Sequence, residues 1–458
     1  MAARSGRVSA QSEDGSMTTF AKANPHKRLF ISLITRDISL ADAVLDLLDN
    51  AINSAIQRLK LELSKPADYI SLLERKVKNS TTRISIAFDD GHFEMRDNAD
   101  GISLEDATER VFMFGRTDDQ TREHAKDDTL SVYGIGMKRA IFKIGNNVHI
   151  ASRHRKNGFN MDLDVGAWEA LPQNTWQIEI EPVEYDKSLP TGTDIAITQL
   201  FPDISKRISD GSFESELVAK IARTYSYFLE RVVTVEVNGR SVTPSDLSFG
   251  DNISSDHFEL SDVSCAIIAG IGVPEGKTHT AERAGWYVFC NGRAVAFAEK
   301  SALTGWGTLL PTFQPKHRPF LGLVFFTADD PESLPWTTTK SSINEESAVW
   351  QHALRIMQKV GRQITSFLDK RYSDDGTEIS TQELATVAGN KVSAFKMPTL
   401  NIQTFQTVRQ KRTTTSIQIS VKISEVDEIK KYLGSRNMSN VEIGHHIFDY
   451  YLKEVVRD

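Results

Sequence analysis

SVYGIGMKRAIFKIG, at residues 131–145, places Gly134 and Gly136 directly before a run with the composition of a helix. Glycine costs backbone entropy when it is ordered, so a pair of glycines at a helix start indicates a close approach to the main chain. Phosphate groups commonly occupy such a place, because the first amide groups of a helix have no partner within it. The stretch therefore predicts a phosphate-binding loop that leads into a helix.

The composition is that of an ordinary globular protein. The chain has 458 residues, of which 40% are hydrophobic and 25% charged, and a net charge of −7. The length predicts about three domains, and the negative charge argues against a protein that coats nucleic acid over its whole surface. Only two cysteines occur, so a disulfide framework is excluded. No apolar run is long enough for a membrane span. We expect a cytoplasmic protein with a disordered tail at residues 1–25.

A second informative stretch is SLADAVLDLLDNAINSAIQRLK, at residues 39–60. It predicts a long helix with one apolar stripe, begun by a capping box of Ser39 with Asp42. Asp46, Asn50 and Asn53 lie at i, i+4 and i+7 and so share one face. That face is either solvated, in which case Glu and Lys would be commoner, or a set of oxygen ligands suited to Mg²⁺ and an oriented water.

Two further segments contain residues suited to binding a nucleotide base. RDNADGIS (96–103) follows a predicted β-hairpin, and GTDIAI (192–197) begins a strand. The carboxylate of Asp97 could accept a hydrogen bond from an adenine amino group, and Gly101 would leave room for the ring. A plain turn is the alternative, since Asp, Asn and Gly are turn residues.

In their order and spacing, the four segments resemble the signature boxes of the GHKL ATPase superfamily. That superfamily includes gyrase, MutL, a class of heat-shock chaperones, sensor histidine kinases and MORC proteins. The resemblance covers about residues 28–200, and DNA in the helix box with GxGxKxA in the glycine box is most like the MORC branch. It implies a Bergerat-type α/β sandwich that binds ATP and Mg²⁺.

The resemblance also implies a role for each matching residue. Asn50 would ligate Mg²⁺ and Asp46 would activate water, whereas Asp97 would recognise adenine with support from Thr193. The remaining matches would line the base or hold the phosphates: Gly101, Ile102, Gly134, Ile135, Gly136, Met137 and Lys138. The superfamily usually has glutamate at the position of Asp46. The shorter side chain withdraws the carboxylate by about 1.5 Å, which predicts slow hydrolysis. Ala99 replaces the first glycine of the second box.

The segment VFMFGRTDDQTREHAKDDTLS, at residues 111–131, is long and polar for a loop inside a compact domain. It is a candidate lid that becomes ordered when ATP binds. A disordered insertion is the alternative.

The second block, residues 205–372, alternates helix and strand patterns. Its stretch GWYVFCNGRAVAF resembles the NGR strand of the S5-like transducer domain that follows many GHKL ATPase domains. The resemblance implies that Lys340, in the loop LPWTTTKSSINEES, reaches the terminal phosphate of ATP. A lone loop lysine is otherwise solvated. A transducer domain, together with the lack of a separate phosphoacceptor helix pair, argues against a sensor kinase.

The last part of the chain predicts a linker at residues 373–413 and a small unit at residues 414–458. Ile417, Ile419 and Val421 alternate with polar residues. Two helices follow, capped by Ser424 with Asp427 and by Ser439 with Glu442, and the pattern resembles a ribbon-helix-helix unit. A single strand needs a partner, so we expect a homodimer formed by two such strands. Reading of duplex DNA by the ribbon is a further hypothesis.

The sequence thus predicts an α+β fold: a GHKL domain at residues 26–204, an S5-like domain at 205–372 and a ribbon-helix-helix-like unit. The expected function is ATP binding with slow hydrolysis that drives a clamp on DNA in genome defence or maintenance, with operon-encoded protein partners. The competing hypotheses are a chaperone-like or scaffold nucleotide switch that does not bind nucleic acid, and a nucleotide-binding module without turnover.

Overall fold

The structure is a computed structural model that describes residues 26–62, 81–113, 130, 134–172, 174–274, 276, 278–373, 392–393, 417, 419–435 and 437–456. The predicted tail (1–25), most of the candidate lid (114–129) and most of the predicted linker (373–413) lie outside the described residues. The chain divides into two compact units: Met1–Tyr372 with Glu378–Phe405, and Ser373–Thr377 with Gln406–Asp458. Within the described ranges, no helix combines the length and apolar character that a membrane crossing needs.

The α+β class is confirmed in the larger unit. Its helices are α1 (Lys27–Thr35), α2 (Leu40–Glu62), α3 (Leu104–Asp106), α4 (Gly136–Ile144), α5 (Val165–Ala170), α6 (Pro202–Ser209), α7 (Ser212–Thr224), α8 (Ser226–Arg231) and α9 (Ala348–Ser373). Its strands are β1 (Arg83–Phe88), β2 (His92–Asp97), β3 (Gly145–Arg153), β4 (Asn157–Asp164), β5 (Glu181–Glu184), β6 (Gly192–Leu200), β7 (Thr234–Val237), β8 (Arg240–Ser241), β9 (Ser248–Leu260), β10 (Val263–Gly272), β11 (Gly285–Cys290), β12 (Arg293–Glu299), β13 (Phe320–Ala328) and β14 (Val392–Ser393).

Among the described residues, eight strands form the first sheet in the order β5-β4-β3-β6-β2-β1-β7-β8. The predicted hairpin is present, with β1 antiparallel to β2, whereas β1 and β7 are parallel. β7 and β8 belong to the block that was predicted to begin at residue 205, yet they extend the sheet of the preceding block. Val235 and Val237 of β7 are fully buried, so the first sheet is completed by residues from both blocks.

Helix α2 is almost entirely buried. The Ser39 side chain hydrogen-bonds Asp42 at 2.6 Å and accepts from its amide at 3.1 Å, so the predicted capping interaction is confirmed. The predicted apolar stripe is buried: Leu40, Val44, Leu47, Leu48, Ala51, Ala55 and Leu59. Helix α4 packs between α2 and strands β3 and β6. The polar face of α2 is thereby held in a fixed position inside the unit.

In the part of the chain that the structure describes, the second sheet has six strands in the order β12-β11-β13-β10-β9-β14. The stretch GWYVFCNGRAVAF forms β11 and most of β12, whereas β9, β13 and β14 were not predicted; the block ends in the helix α9. Trp350 of α9 packs against Phe326 of β13, with ring centroids 6.1 Å apart. Helix α7 packs against β12. This contact brings the start of β12 towards α2.

The smaller unit contains α10 (Ile423–Tyr432) and α11 (Asn440–Tyr451). The predicted capping box of Ser439 with Glu442 is confirmed. The first cap is different from the prediction: the cap residue is Lys422, whose amide donates to Glu425, so Ser424 lies inside the helix. Described residues 417 and 419–422 form no strand, which follows from the need of a strand for a partner.

Candidate functional site

A cluster of buried charges lies on the polar face of α2. Asp49 is the centre of it: its Oδ1 lies 2.6 Å from the Tyr225 hydroxyl and accepts a hydrogen bond of 2.9 Å from Arg293 Nε. Its Oδ2 accepts a hydrogen bond of 2.8 Å from Lys340 Nζ. Burial acts to raise the pKa of Asp49, but the charges of Arg293 and Lys340 outweigh it, and the pKa is lowered. Asp49 is therefore held as a carboxylate.

The backbone of Lys340 is fixed as firmly as its side chain. Its carbonyl accepts a hydrogen bond of 2.5 Å from Arg293 Nη1, and its amide donates to Thr337 at 2.8 Å. Its φ of 52° lies in the left-handed region, which is unusual for a residue with a Cβ. The surrounding contacts must hold this conformation against its strain, which is typical of residues at functional sites.

The second carboxylate on this face is Asp46. Its Oδ2 accepts two hydrogen bonds from Arg139, of 2.8 Å from Nε and 2.5 Å from the terminal nitrogen. Within the described residues, Oδ1 accepts none. Burial raises the pKa of Asp46, against the opposing charges of Lys340 and Arg139. Neighbouring carboxylates whose pKa values move in opposite directions are typical of sites that carry out proton chemistry.

The two carboxylates and their three cationic partners carry one surplus positive charge when both carboxylates are ionised. The side chains of Asp46, Asp49, Arg139, Arg293 and Lys340 are each at most 8% exposed. Buried charge is costly unless it is compensated. The cluster is therefore electrostatically suited to an anion.

A second group of polar residues lies where β2, β3 and β6 meet. Asp97, at the end of β2, accepts a hydrogen bond of 2.9 Å from the amide of Ala99. Burial raises the pKa of Asp97 to about 7, although backbone hydrogen bonds from Ala99 and Thr193 oppose the shift. The hydroxyl groups of Thr193 and Ser152 are 3.0 Å apart. Ile102 also belongs to this group, because its amide donates to the Ser152 hydroxyl at 2.7 Å.

Gly101 is required here by the main chain rather than by a ligand. Its φ is 73°, and a Cβ at this position would lie 2.2 Å from the carbonyl oxygen of Arg153. Gly192 behaves in the same way, since its Cβ would lie 2.1 Å from the carbonyl oxygen of Asp97. The reason predicted from the sequence, space for an adenine ring, is thus not needed to explain the glycine.

We expect Gly101→Ala to lower the apparent free energy of unfolding by about 2–4 kcal/mol, because both the backbone angle and the contact with Arg153 become unfavourable. Chemical denaturation of the whole chain measures it. Gly211→Ala is the matched control, since its φ is −55° and a Cβ there meets nothing within 4 Å. Equal stabilities of the two variants would contradict the interpretation.

The glycine-containing segment lies against the acidic face of α2. Gly134 has a φ of 60°, Ile135 precedes the helix as its cap residue and Gly136 is the first residue of α4. A Cβ on Gly136 would lie 3.4 Å from the Asp46 Cβ. The absence of a side chain therefore allows the start of α4 to pack directly on Asp46.

The two residues after Gly136 are buried. Met137 is part of the core. The Lys138 ammonium donates to the carbonyl of Val111 at 2.7 Å and also to that of Met113. The sequence suggested that Lys138 contacts phosphate, but in this structure the ammonium binds the main chain that leads into residues 114–129.

Asn50 is half-buried on α2, and no described residue hydrogen-bonds to its side chain. The described part of the chain holds no group of three His, Cys, Asp or Glu residues arranged for a metal ion. Mg²⁺ commonly takes one or two protein oxygens and completes its shell with phosphates and water. The side-chain oxygen of Asn50 therefore fits as one ligand of a Mg²⁺ ion that arrives with a nucleotide.

The residues described so far come from distant parts of the chain, and two of them, Gly136 at the start of α4 and Asp46 on α2, lie against each other. Residues 38–191 match the family model for histidine kinase-, DNA gyrase B-, and HSP90-like ATPases. This segment is thus similar to a GHKL ATPase domain. Every residue from Asp46 to Lys138 named above lies within it, whereas Arg293 and Lys340 lie outside it. The match implies ATP binding. No curated protein matches the chain.

Five residues that the structure places on the acidic face of α2 or in the Asp97 group had no role predicted from the sequence. They are Asp49, Arg139, Ser152, Tyr225 and Arg293. The sequence could have indicated Arg139 and Arg293 as site residues, because they adjoin recognised motifs. Arg139 follows Lys138 directly, and Arg293 is the arginine of NGR. Ser152 and Tyr225 had no such signal.

Proposed function

We propose that this chain is a Mg²⁺-dependent ATPase that binds ATP, hydrolyses it slowly and has MORC-like or MutL-like architecture. The observation that carries the proposal is the buried cluster of Asp46, Asp49, Arg139, Arg293 and Lys340. Its surplus positive charge lies next to a helix start in a GHKL ATPase-like segment, and a terminal phosphate would neutralise that charge.

In this proposal Asp97, as a carboxylate, accepts a hydrogen bond from the adenine amino group, and Thr193 supports it. Asn50 holds Mg²⁺, which supplies charge neutralisation on the phosphates when it is bound. Arg139 fixes Oδ2 of Asp46 and leaves Oδ1 to orient the attacking water. Lys340 stabilises charge on the terminal phosphate. The S5-like domain would then transmit the state of the nucleotide.

Calorimetric titration of the full chain with a non-hydrolysable ATP analogue and Mg²⁺ tests the binding step. Saturable heat that disappears when Mg²⁺ is chelated supports the proposal. An absence of heat under both conditions would overturn it.

We also propose that the smaller unit is a ribbon-helix-helix-like dimerisation unit. Among its described residues, Ile443 is the buried apolar side chain, whereas apolar side chains including Ile419, Val421, Tyr432 and Tyr450 are more than half exposed. A unit with so little core gains stability by burying these faces against a second copy.

We expect Ile419→Asp to weaken the dimer of the full chain by about 100-fold or more. Each copy loses an isoleucine that the proposed dimer would bury and places an unpaired carboxylate in the interface. Sedimentation velocity over a range of protein concentrations measures the effect. Ser420→Asp places the same charge on the other face of the segment and is expected to leave the dimer intact. Identical behaviour of the two variants would exclude strand pairing through this face.

The proposed target of the clamp is duplex DNA in genome defence or maintenance, with operon-encoded partners, and this step depends on family analogy. Residues 409–458 carry nine Lys and Arg against seven Asp and Glu, so phosphate contacts by this part would be few. Retention on duplex DNA that falls with rising salt supports the clamp. Lack of retention at low salt, with intact nucleotide binding, would favour the scaffold or chaperone-like switch.

A further inference from the structure

Lys340 has a partner that the proposed terminal phosphate would have to replace. Its ammonium lies 2.8 Å from Asp49 Oδ2, and the pair is almost completely buried. Asp46 and Asp49 are three residues apart and share a face of α2. Lys340 therefore binds Asp49, which lies on the same face of α2 as Asp46, the carboxylate proposed to orient water.

We infer that Asp49 is a positioning residue that competes with the terminal phosphate for Lys340 and so sets how strongly the protein distinguishes a nucleoside triphosphate from a diphosphate. The inference rests on the proposed function. A diphosphate offers no terminal phosphate, so Lys340 stays on Asp49. A triphosphate draws the ammonium away, and the affinity for it is reduced by the free energy of the lost pair.

Asp49 keeps compensating partners when Lys340 leaves. Arg293 Nε and the Tyr225 hydroxyl both bind Oδ1, whereas Lys340 binds Oδ2. The carboxylate would therefore not be left as an isolated buried charge, which would cost far more than the exchange can supply.

The loop that carries Lys340 is held independently of the ammonium. The backbone hydrogen bonds to Arg293 and Thr337 fix the residue at both its carbonyl and its amide. Only the four-carbon side chain then has to move. Arg293 binds both Asp49 and the Lys340 carbonyl. It therefore holds the Lys340 backbone next to α2 whether the ammonium contacts Asp49 or the phosphate.

The test compares the dissociation constants of ADP and of a non-hydrolysable ATP analogue, with Mg²⁺, for the full chain. In Asp49→Asn the ammonium no longer has to leave a carboxylate, so the ratio of the ADP constant to the analogue constant should rise at least about tenfold. Asp42→Asn is the matched control on the same helix. Asp42 pairs with Lys220 at 2.7 Å rather than with Lys340, and we expect an unchanged ratio.

A double-mutant cycle separates competition for Lys340 from a structural effect. Lys340→Gln removes the ammonium, so its ratio of the two dissociation constants should depend only on the other contacts of the site. Adding Asp49→Asn to Lys340→Gln should leave that ratio unchanged. An Asp49→Asn ratio equal to that of the wild type would overturn the inference. So would an effect of the same size in the Lys340→Gln background.

Asp49→Asn leaves the buried Arg293 with one fewer anionic contact. If this variant does not fold, Asp49→Ser removes the same charge with a smaller side chain and leaves the contact of Arg293 with the Lys340 carbonyl in place, and the same rise is expected. The failure of the inference and that of the proposed function are distinguishable. A wild type that binds neither nucleotide contradicts the proposed function, whereas normal binding with an unmoved ratio contradicts only the role of Asp49.

Discussion

Asp97→Asn is expected to weaken binding of the ATP analogue by about 100-fold or more, because the amide presents a donor where the adenine amino group needs an acceptor. The remaining contacts of residue 97, with Ala99 and Thr193, are backbone hydrogen bonds that an amide oxygen can still accept. The fold should therefore survive. Calorimetry with Mg²⁺ measures the affinity. Asp162→Asn, at a carboxylate that is 80% exposed on β4, is the control and should bind like the wild type.

The raised pKa of Asp97 gives this binding a defined pH dependence. With a pKa of about 7, the carboxylate is increasingly protonated as the pH falls below neutrality. If the ionised form accepts from adenine, affinity should decline by up to about tenfold per pH unit below pH 7 and level off above it. Wild-type affinity that is constant from pH 5.5 to 8 would contradict the assignment of Asp97.

The raised pKa of Asp97 also makes the free energy of unfolding depend on pH. Unlike the affinity for nucleotide, this free energy falls as the pH rises. Because the pKa of Asp97 is raised on folding, the folded state holds the proton more tightly than the unfolded state. The stability from this group is complete below pH 4 and is lost as the pH rises through 7. Asp97→Asn should thus gain stability relative to the wild type over that interval, by up to about 4 kcal/mol. A variant that binds nucleotide poorly and is yet more stable at pH 8 would be hard to explain by misfolding.

Asp46→Asn is expected to lower the rate of phosphate release by about 100-fold to 1,000-fold while nucleotide affinity changes little. The amide oxygen can still accept from Arg139, so the buried guanidinium keeps a partner, but the carboxylate that orients water is gone. Steady-state phosphate release and calorimetry on the same preparations separate turnover from binding. Asn50→Ala should reduce both, since the Mg²⁺ contact serves both.

Asp42→Asn is again the control, as Asp42 lies on the same helix and is partly exposed beside Lys220. Equal phosphate release by the wild type, Asp46→Asn and Asn50→Ala would show that α2 does not carry the chemistry. Loss of affinity in Asp46→Asn as large as the loss of turnover would indicate that Asp46 binds the nucleotide and does not act on water.

The local features were predictable because they depend on neighbours in the sequence. The apolar stripe of α2, its cap at Ser39 and the β1–β2 hairpin follow from periodicity and turn chemistry. The position of Asp97 at a strand end follows from the same pattern. The similarity to a family then gave each of these residues an expected role before any distance was known.

The buried charge cluster could not be predicted in the same way. Arg293 and Lys340 lie 244 and 291 residues from Asp49 in sequence, and no local pattern indicates which of the acidic residues of α2 they contact. The partners of the Lys138 ammonium could not be predicted from the sequence either. The ammonium can reach either a phosphate or a carbonyl, and the carbonyls of Val111 and Met113 that it contacts are 27 and 25 residues away in sequence.

The parallel pairing of β1 with β7 has a consequence for how the two halves of the larger unit can be separated. A fragment ending at residue 204 would leave the main-chain groups of β1 without a neighbour on one side, next to the apolar side chains Ile84 and Ile86. Open edges of this kind pair with foreign strands. We therefore expect the half that carries Asp97 and the half that carries Lys340 to fold only together, and a fragment that contains one of them to aggregate.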